Sequence, residues 1–267
     1  MANVEILGLL ALIGAMGGLI AGLVGLAGGI FIVPALVALF GPQCMPDAIV
    51  VSFFAVLLNS LSTSHANWRM KGTKNYWTLI NSTRWYTLGA LVASCSVAFL
   101  FGQHKNAIPV YLLASLQLLL ALCMLIPRAW YETSRFDHAK WRDSAAGSIV
   151  GGLSTLIGVG GGTYTIFYFL IHGREIKDCT LTANFVGIFI GLMSLIGYYG
   201  YVAVASTSHV AASSGIIDAT GKTVLILCGV IAAPLGVKLQ RIAPASLIKK
   251  MIVYMLAASS SYVFFYA

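Results

Sequence analysis

Charged residues are scarce in this chain, and most of the few that it has are basic. Of its 267 residues, 9% are Asp, Glu, Lys or Arg, whereas about 25% is usual in a soluble domain. Hydrophobic residues make up 59% of the chain. A water-soluble core cannot absorb that much apolar surface, so the composition excludes an ordinary soluble protein and predicts an integral membrane protein.

Carboxylates are missing from the interior of every apolar run. The acidic residues near such runs all lie at their ends: Glu5, Asp47, Asp178 and Asp218. Carriers driven by protons or sodium often place a carboxylate at membrane depth. The sequence therefore gives no support for tight cation coupling through an acidic side chain.

Groupings of residues that would bind a metal or perform catalysis are also missing. The five cysteines have neither CxxC nor any other metal-ligand spacing. Ser62 and His65 are three residues apart on one apolar segment, but no acidic partner lies nearby. We therefore expect no metal, no cofactor and no enzymatic activity.

Long apolar runs are what the chain has in abundance. They cover residues 6–40, 48–66, 86–102, 107–127, 145–171, 179–205, 223–237 and 246–267. Several are long enough for a transmembrane helix of roughly 20 residues. The pattern predicts an all-α, polytopic membrane protein. The first run follows no basic segment and continues into a glycine cluster, so we expect it to belong to the fold rather than to a signal peptide.

A glycine cluster occurs twice, as GLVGLAGGIF at residues 22–31 and TLIGVGGGTY at residues 155–164. Each is followed by an apolar stretch, a short polar turn and further apolar runs. The chain is therefore predicted to be a duplication, with a first repeat over residues 1–142, including a cytoplasmic linker, and a second over residues 143–267.

The basic residues predict the orientation of these repeats. If each glycine segment crossed the membrane once, the 16 Lys and Arg residues would divide nine to seven between the two sides. If each segment instead enters, breaks at its glycines and returns, only Lys105 and Lys222 lie outside. The positive-inside rule favours the second arrangement. It predicts inverted repeats, each a broken-helix hairpin of two short half-helices followed by three spans, giving eight to ten membrane helices with both termini outside.

The glycine motifs resemble those of the TauE/SafE family, the sulfite and organosulfonate exporters, also called the 4-toluene sulfonate uptake permease family. The resemblance rests on GLVGLAGGIFIVPAL with Pro34, on GLSTLIGVGGGTYTIF in a duplicated chain, and on a basic HANWRMKG loop. Ala27 and Phe167 depart from the usual glycine and proline. The resemblance implies transport of small sulfur-containing or organic anions across the bacterial inner membrane.

The glycines themselves suggest the substrate site. Irregular backbone at membrane depth is tolerated where it lines a cavity, and helix N-termini with a nest of backbone N–H groups bind anions. Hydroxyl and amide side chains nearby would add donors. The candidate substrate-binding residues are Gly25, Ala27, Gly28, Gly29, Ser52, Asn59, Gly158, Gly160, Gly161, Gly162, Thr163, Tyr164, Thr182 and Asn184.

Other interpretations remain open at this point. Gly18, Gly22, Gly147 and Gly151 have small-xxx-small spacing and need only pack helices together. An anion channel, or an uptake permease for a non-sulfur organic anion, would use the same glycine nest. We expect export, because a negative interior already drives anions outward. The expected partners are a small anion and the lipid bilayer, with no nucleic acid, and homo-oligomerisation is left open.

Overall fold

A computed structural model describes residues 2–26, 28–71, 73–103, 110–125, 140–158, 160–205 and 217–266, and these residues form helices joined by short turns. The first half contains α1 (Ala2–Val24), α2 (Gly29–Phe40), α3 (Met45–Lys71), α4 (Thr73–Asn81), α5 (Arg84–Gln103) and α6 (Val110–Leu125). The second contains α7 (Lys140–Ile157), α8 (Gly162–Ile171), α9 (Ile176–Ala205), α10 (Ala219–Ile242) and α11 (Ala245–Tyr266). The all-α prediction is confirmed.

The helices are those of a membrane protein. Four of them, α1, α3, α9 and α10, are long and apolar enough to cross a bilayer, and α2, α5 and α8 contain shorter apolar stretches. Large apolar side chains face outward, with Ile231 exposed by 72% and Ile149 by 64%. Such side chains have a favourable environment only in lipid, so the protein is an integral membrane protein.

The glycine clusters break the helices where the sequence predicts breaks. Residues 25–28 separate α1 from α2, and residues 158–161 separate α7 from α8. The expectation of two short half-helices is correct for α2, with 12 residues, and α8, with 10. It is wrong for α1, whose 23 residues span about 34 Å at 1.5 Å per residue. It is also wrong for α7, whose 18 residues span about 27 Å.

The region after α3 also differs from the prediction. The expected HANWRMKG loop is helical as far as Lys71, where α3 ends, and is followed by the short helix α4. On α4, Tyr76 and Ile80 are buried whereas Trp77 is 54% exposed. This amphipathic pattern is typical of a helix lying at the membrane surface.

The spaced glycines outside the breaks pack helices together, as the sequence predicts. Gly18 and Gly22 of α1 lie against the α10 backbone at Gly229 and Ala233. Gly147 and Gly151 of α7 lie against the α5 backbone at Tyr86 and Ala90. Because these backbones touch, α1 is fixed to α10 and α7 to α5, while α3 packs against α9.

Candidate functional site

Each helix break is built from glycines in a left-handed backbone conformation. In the first break, φ is +77° at Gly25 and +82° at Gly28; in the second, φ is +72° at Gly158, +75° at Gly160 and +73° at Gly161. A Cβ atom makes this conformation unfavourable, which explains why glycine occupies these positions. Gly28 caps the N-terminus of α2, and Gly161 caps that of α8.

The two breaks touch each other. A Cβ built on Gly162 would lie 2.8 Å from the Cα of Leu26 and would overlap the carbonyl oxygen of Gly25. The first break also folds back on α1, because a Cβ on Gly28 would lie 2.7 Å from the carbonyl oxygen of Gly17. The predicted meeting of the two glycine clusters is therefore present in the structure.

The two helices that start at the breaks have buried and uncapped N-termini. Neither Gly28 nor Gly161 offers a side chain to cap its helix, and the first residues of both helices are buried: Gly29, Ile30, Gly162 and Thr163. The first N–H groups of a helix have no partner within that helix. Buried and uncapped, the N–H groups at these two N-termini are available to an anionic ligand.

The long central helices α3 and α9 flank the two breaks. On α3, the Ser52 hydroxyl lies 2.7 Å from the carbonyl oxygen of Gly158. Nδ2 of Asn59 lies 3.3 Å from the position that a Cβ on Gly28 would take. On α9, Thr180 packs against Gly25 and Ile190 against Gly161. Each break is thus in contact with both central helices.

Several buried polar side chains on α3, α8 and α9 have no hydrogen-bond partner among the described residues. Five such residues belong to the predicted site. Four of them are at most 1% exposed, and the fifth, Tyr164, has a buried hydroxyl. The unpartnered groups are both amide atoms of Asn59 and of Asn184, and the hydroxyls of Thr163, Tyr164 and Thr182. Leaving a buried polar group unpaired costs about 1–3 kcal/mol, so a polar ligand in contact with these groups would be stabilised.

Ser60 and Ser154 belong with these groups, although the sequence reasoning missed them. Both hydroxyls are buried and unpartnered within the described chain. Oγ of Ser154 lies 3.0 Å from the Cβ position of Gly161, and Oγ of Ser60 lies 2.7 Å from that of Gly187. The spacing along the chain offers no signal for Ser154, because α7 ends at Ile157 and helical periodicity does not continue to Gly161.

The other residues of the predicted site are Ser52, Ala27 and several glycines of the breaks. Ser52 donates its single proton to a backbone carbonyl, either that of Gly158 or that of Ile49, each 2.7 Å away. Its hydroxyl therefore positions the second break and is not a free donor. Ala27 lies outside the described residues. The structure places Gly29 at the start of α2 and Gly160 inside the second break.

The structure also places Ser62 and His65, the pair that the sequence analysis considered for catalysis. The Ser62 hydroxyl donates to the carbonyl of Val230, 2.9 Å away, and the exposed His65 ring packs on Trp68 with 5.7 Å between ring centroids. Within the described chain, no group of three His, Cys, Asp or Glu side chains is placed to hold a metal ion.

Broken helices that contact each other at their breaks, with buried helix N-termini and neutral polar groups on the same helices, are typical of secondary membrane transporters. Comparison with known proteins agrees with this class. The chain belongs to the sulfite exporter TauE/SafE family, which it matches over residues 10–263, and the family prediction is confirmed.

A curated relative supports the same class. Over 200 residues the chain is 25% identical to a "Probable membrane transporter protein" of Haemophilus influenzae (strain ATCC 51907 / DSM 11121 / KW20 / Rd), covering 70% of this chain and 71% of that protein. No solved structure matches the chain. The protein is therefore a membrane transporter, whose substrate is a small molecule.

Proposed function

We propose that this protein is a secondary transporter that exports small sulfur-containing anions, such as sulfite, a sulfonate or a related organic anion. The observation that carries the proposal is the contact between the two glycine breaks, at each of which a helix begins with a buried, uncapped N-terminus. The substrate binds there, between the glycine nests, and is contacted by the unpartnered amides of Asn59 and Asn184 and the hydroxyls of Thr163, Tyr164 and Thr182.

The chemistry of these groups favours an anion. The N-terminus of a helix carries a partial positive charge, and its free N–H groups point along the helix axis towards a ligand. Hydroxyl and amide groups can add further N–H and O–H donors. An oxyanion with several acceptor oxygens would satisfy many of these donors at once, which a neutral apolar molecule could not do.

The direction of transport follows from the membrane potential. A negative interior drives an anion outward with about 2.3 kcal/mol per charge per 100 mV, so export needs no coupling carboxylate. The family description names sulfite export, which agrees with this direction. Uptake of the same anion would have to be coupled to a proton or sodium gradient, and the interior of the apolar runs holds no Asp or Glu to bind the coupling cation.

We further propose that the chain consists of two inverted repeats, residues 1–142 and 143–267, with both termini outside a bacterial plasma membrane. Reciprocal contacts support this arrangement. The first-repeat helix α1 packs on α10 as the second-repeat helix α7 packs on α5. Ser52 of the first repeat contacts Gly158, and Thr180 of the second contacts Gly25. Such reciprocity is expected of two repeats related by an axis in the membrane plane.

Flux measurements with the purified protein in liposomes test the proposal. Sulfite, thiosulfate, sulfoacetate and taurine are the substrates, acetate and chloride the controls, each with and without an imposed potential. Gly161→Ala is the test variant, because a Cβ there would overlap Ile190 Cδ1 and lie 3.0 Å from Ser154 Oγ. Gly173→Ala is the matched control, because its φ of +80° imposes a similar backbone strain while its Cβ would meet no atom within 4 Å.

The expected result is saturable, potential-driven flux of a sulfur-containing anion that is reduced in Gly161→Ala and retained in Gly173→Ala. Counterflow of labelled substrate would support a carrier, whereas unsaturable flux without counterflow would indicate an anion channel. Equal flux in both variants would refute the site, and absence of flux for every anion would refute the transport function proposed here.

A further inference from the structure

A groove with a volume of about 650 Å³ opens between α4, α5 and α9, and its lining includes no residue of the proposed substrate site. Small-molecule sites usually have volumes of about 300–1,000 Å³. Leu88 and Leu91 line the groove on the α5 side, and Phe185 and Phe189 line it on the α9 side. Arg84, the first residue of α5, also lines it, and Leu91 lies about 10 Å further along the helix. The groove is therefore long, largely apolar and basic at one end.

The helices α5 and α9 run in the same direction beside the groove. Gly197 of α9 lies against the backbone of Cys95 and Phe99 of α5, and the ring centroids of Phe99 and Tyr201 are 5.8 Å apart. Residues late in α5 thus contact residues late in α9, so both helices begin on the same side of the membrane. The groove lies between their N-terminal halves, and α4 packs against α9 at this end.

The basic end of the groove lies at the membrane surface. Trp77 of α4 and Trp85 of α5 are exposed by 54% and 36%, and indole side chains are enriched where lipid meets water. Thr78 and Asn81 of α4 contribute polar lining at this end. Arg84 is therefore at the level of the lipid headgroups, while the leucine and phenylalanine walls extend towards the hydrocarbon core.

The surface end of the groove carries positive charge. The Arg84 guanidinium lies 5.5 Å from the centroid of the Trp85 ring, and Nζ of Lys140 lies 5.7 Å from the centroid of the same ring. Within the described chain, neither cation forms an ion pair. Asp143, one turn further along α7, is buried and accepts a hydrogen bond from the hydroxyl of Tyr168 over 2.6 Å. An anionic group beside Arg84 would therefore bind a cation that no described carboxylate neutralises.

This combination of charge and apolar wall fits a phospholipid with an anionic headgroup. A phosphate can accept two N–H groups from one guanidinium, and an acyl chain is complementary to walls of leucine and phenylalanine. Basic pockets between transmembrane helices at the membrane surface bind anionic headgroups. A free phosphate would leave the apolar walls without contacts. In phosphatidylcholine, the choline group offsets the charge of the phosphate.

We propose that the groove binds one anionic phospholipid, with its phosphate at Arg84 and one acyl chain between the α5 and α9 walls. The inference goes beyond the proposed function and does not depend on which substrate is transported. Because α9 also packs against Gly25 and Gly161 of the two helix breaks, the bound lipid stabilises a helix that holds both breaks.

Two lipids with identical acyl chains separate the headgroup from the chain. The full-length protein in detergent micelles is titrated with phosphatidylglycerol or with phosphatidylcholine, and the bound lipid is counted by native mass spectrometry. We expect one phosphatidylglycerol to bind about five-fold more tightly than phosphatidylcholine, the effect of one favourable contact between a basic side chain and an anionic lipid. Glycerol 3-phosphate, which carries the phosphate without the chains, should not displace it.

Arg84→Gln tests the contribution of the cation. Arg142→Gln is the matched control, because the Arg142 guanidinium also lies 5.5 Å from the ring centroid of a neighbouring tryptophan, Trp141, but does not line the groove. The preference for phosphatidylglycerol should disappear in Arg84→Gln, be partly restored in Arg84→Lys and persist in Arg142→Gln.

Leu91→Trp tests the contribution of the apolar wall, because the larger side chain would fill the groove while Arg84 is kept. Val92→Trp is its control, since the adjacent Val92 is 63% exposed and does not line the groove. Binding of phosphatidylglycerol should weaken in Leu91→Trp and stay unchanged in Val92→Trp.

Three results would overturn the inference: equal affinity of the unmodified protein for the two lipids, equal effects of Arg84→Gln and Arg142→Gln, or displacement of the lipid by glycerol 3-phosphate. The comparison of lipids on the unmodified protein decides the question even where a variant fails to fold. Failure of transport in the flux assay would overturn the proposed function and leave the lipid site untouched, because binding is measured without transport.

Discussion

The same substitution, glycine to alanine, should have opposite effects at two positions of α1. Gly18 lies at the contact with α10, where a new Cβ would be 2.7 Å from the Cα of Gly229 and would overlap its carbonyl oxygen. Gly8 is an exposed position of the same helix, and a Cβ there would meet no atom within 4 Å.

The magnitude follows from the geometry at Gly18. Carbon atoms in contact are about 3.5–4.0 Å apart, so the two helices would have to separate by about 1 Å to admit the methyl group. Gly14 and Gly22 also touch the α10 backbone, and their contacts would loosen as well. Overpacking of this kind typically costs about 1–3 kcal/mol, which at roughly 2–4 °C per kcal/mol lowers Tm by roughly 2–12 °C.

Gly8→Ala should leave Tm unchanged or raise it slightly. Alanine is favoured over glycine in a helix by about 1 kcal/mol, and no atom opposes the new methyl group. Thermal unfolding of the purified protein can be followed with a thiol-reactive fluorophore, since Cys44 and Cys179 are fully buried and react only as the structure opens. An equal shift in the two variants would refute the assignment of Gly18 to the α1–α10 contact.

Two further substitutions test how the breaks and turns are held. Ser52→Ala removes the hydroxyl that lies 2.7 Å from the carbonyl oxygen of Gly158. We expect the free energy of unfolding to fall by about 0.6 kcal/mol, as for other hydrogen bonds in membranes, and the KM of transport to rise several-fold. Ser96→Ala, whose hydroxyl donates to Val92 of its own helix, is the control and should change neither quantity. Arg174→Gln removes a guanidinium that lies 4.3 Å from the centroid of the Phe169 ring and donates to Ser82 over 2.9 Å. Burial lowers the pKa of Arg174, yet the group stays charged at neutral pH. In the thermal assay, its loss should lower the free energy of unfolding by about 1 kcal/mol or more, and Arg174→Lys should lower it less. No change in Tm would contradict this role.

The positions of the breaks could be predicted because glycine has few reasons to recur within an apolar run. Gly25, Gly28, Gly158 and Gly161 all adopt positive φ, which a side chain would oppose. The length of α1 could not be predicted in the same way. Residues 6–24 form one unbroken apolar run, and the basic-residue count indicates the side of a loop rather than the length of the helices before it.

Ser154 and Ser60 could not be predicted from the sequence, because a small polar residue in an apolar helix can have several different roles. Ser154 and Ser60 lie in apolar helices, where a serine can equally contact a neighbouring helix or bond its own backbone. Only the three-dimensional contacts place Ser154 beside Gly161. The helix α4 was missed for a different reason, because TKNYWTLIN is too short and too polar to register as an apolar run.

The contact between α1 and α10 does more than join two helices, because it reaches the proposed site through Asn59. A Cβ on Gly229 would lie 2.9 Å from Oδ1 of Asn59 and 3.1 Å from the carbonyl oxygen of Gly14. The same amide group faces Gly28 at the first break. Asn59 therefore lies where the packing of α1 on α10 meets the N-terminus of α2. A movement of α10 relative to α1 would displace an unpartnered donor of the proposed site, so we expect helix packing and substrate binding to be coupled at this residue.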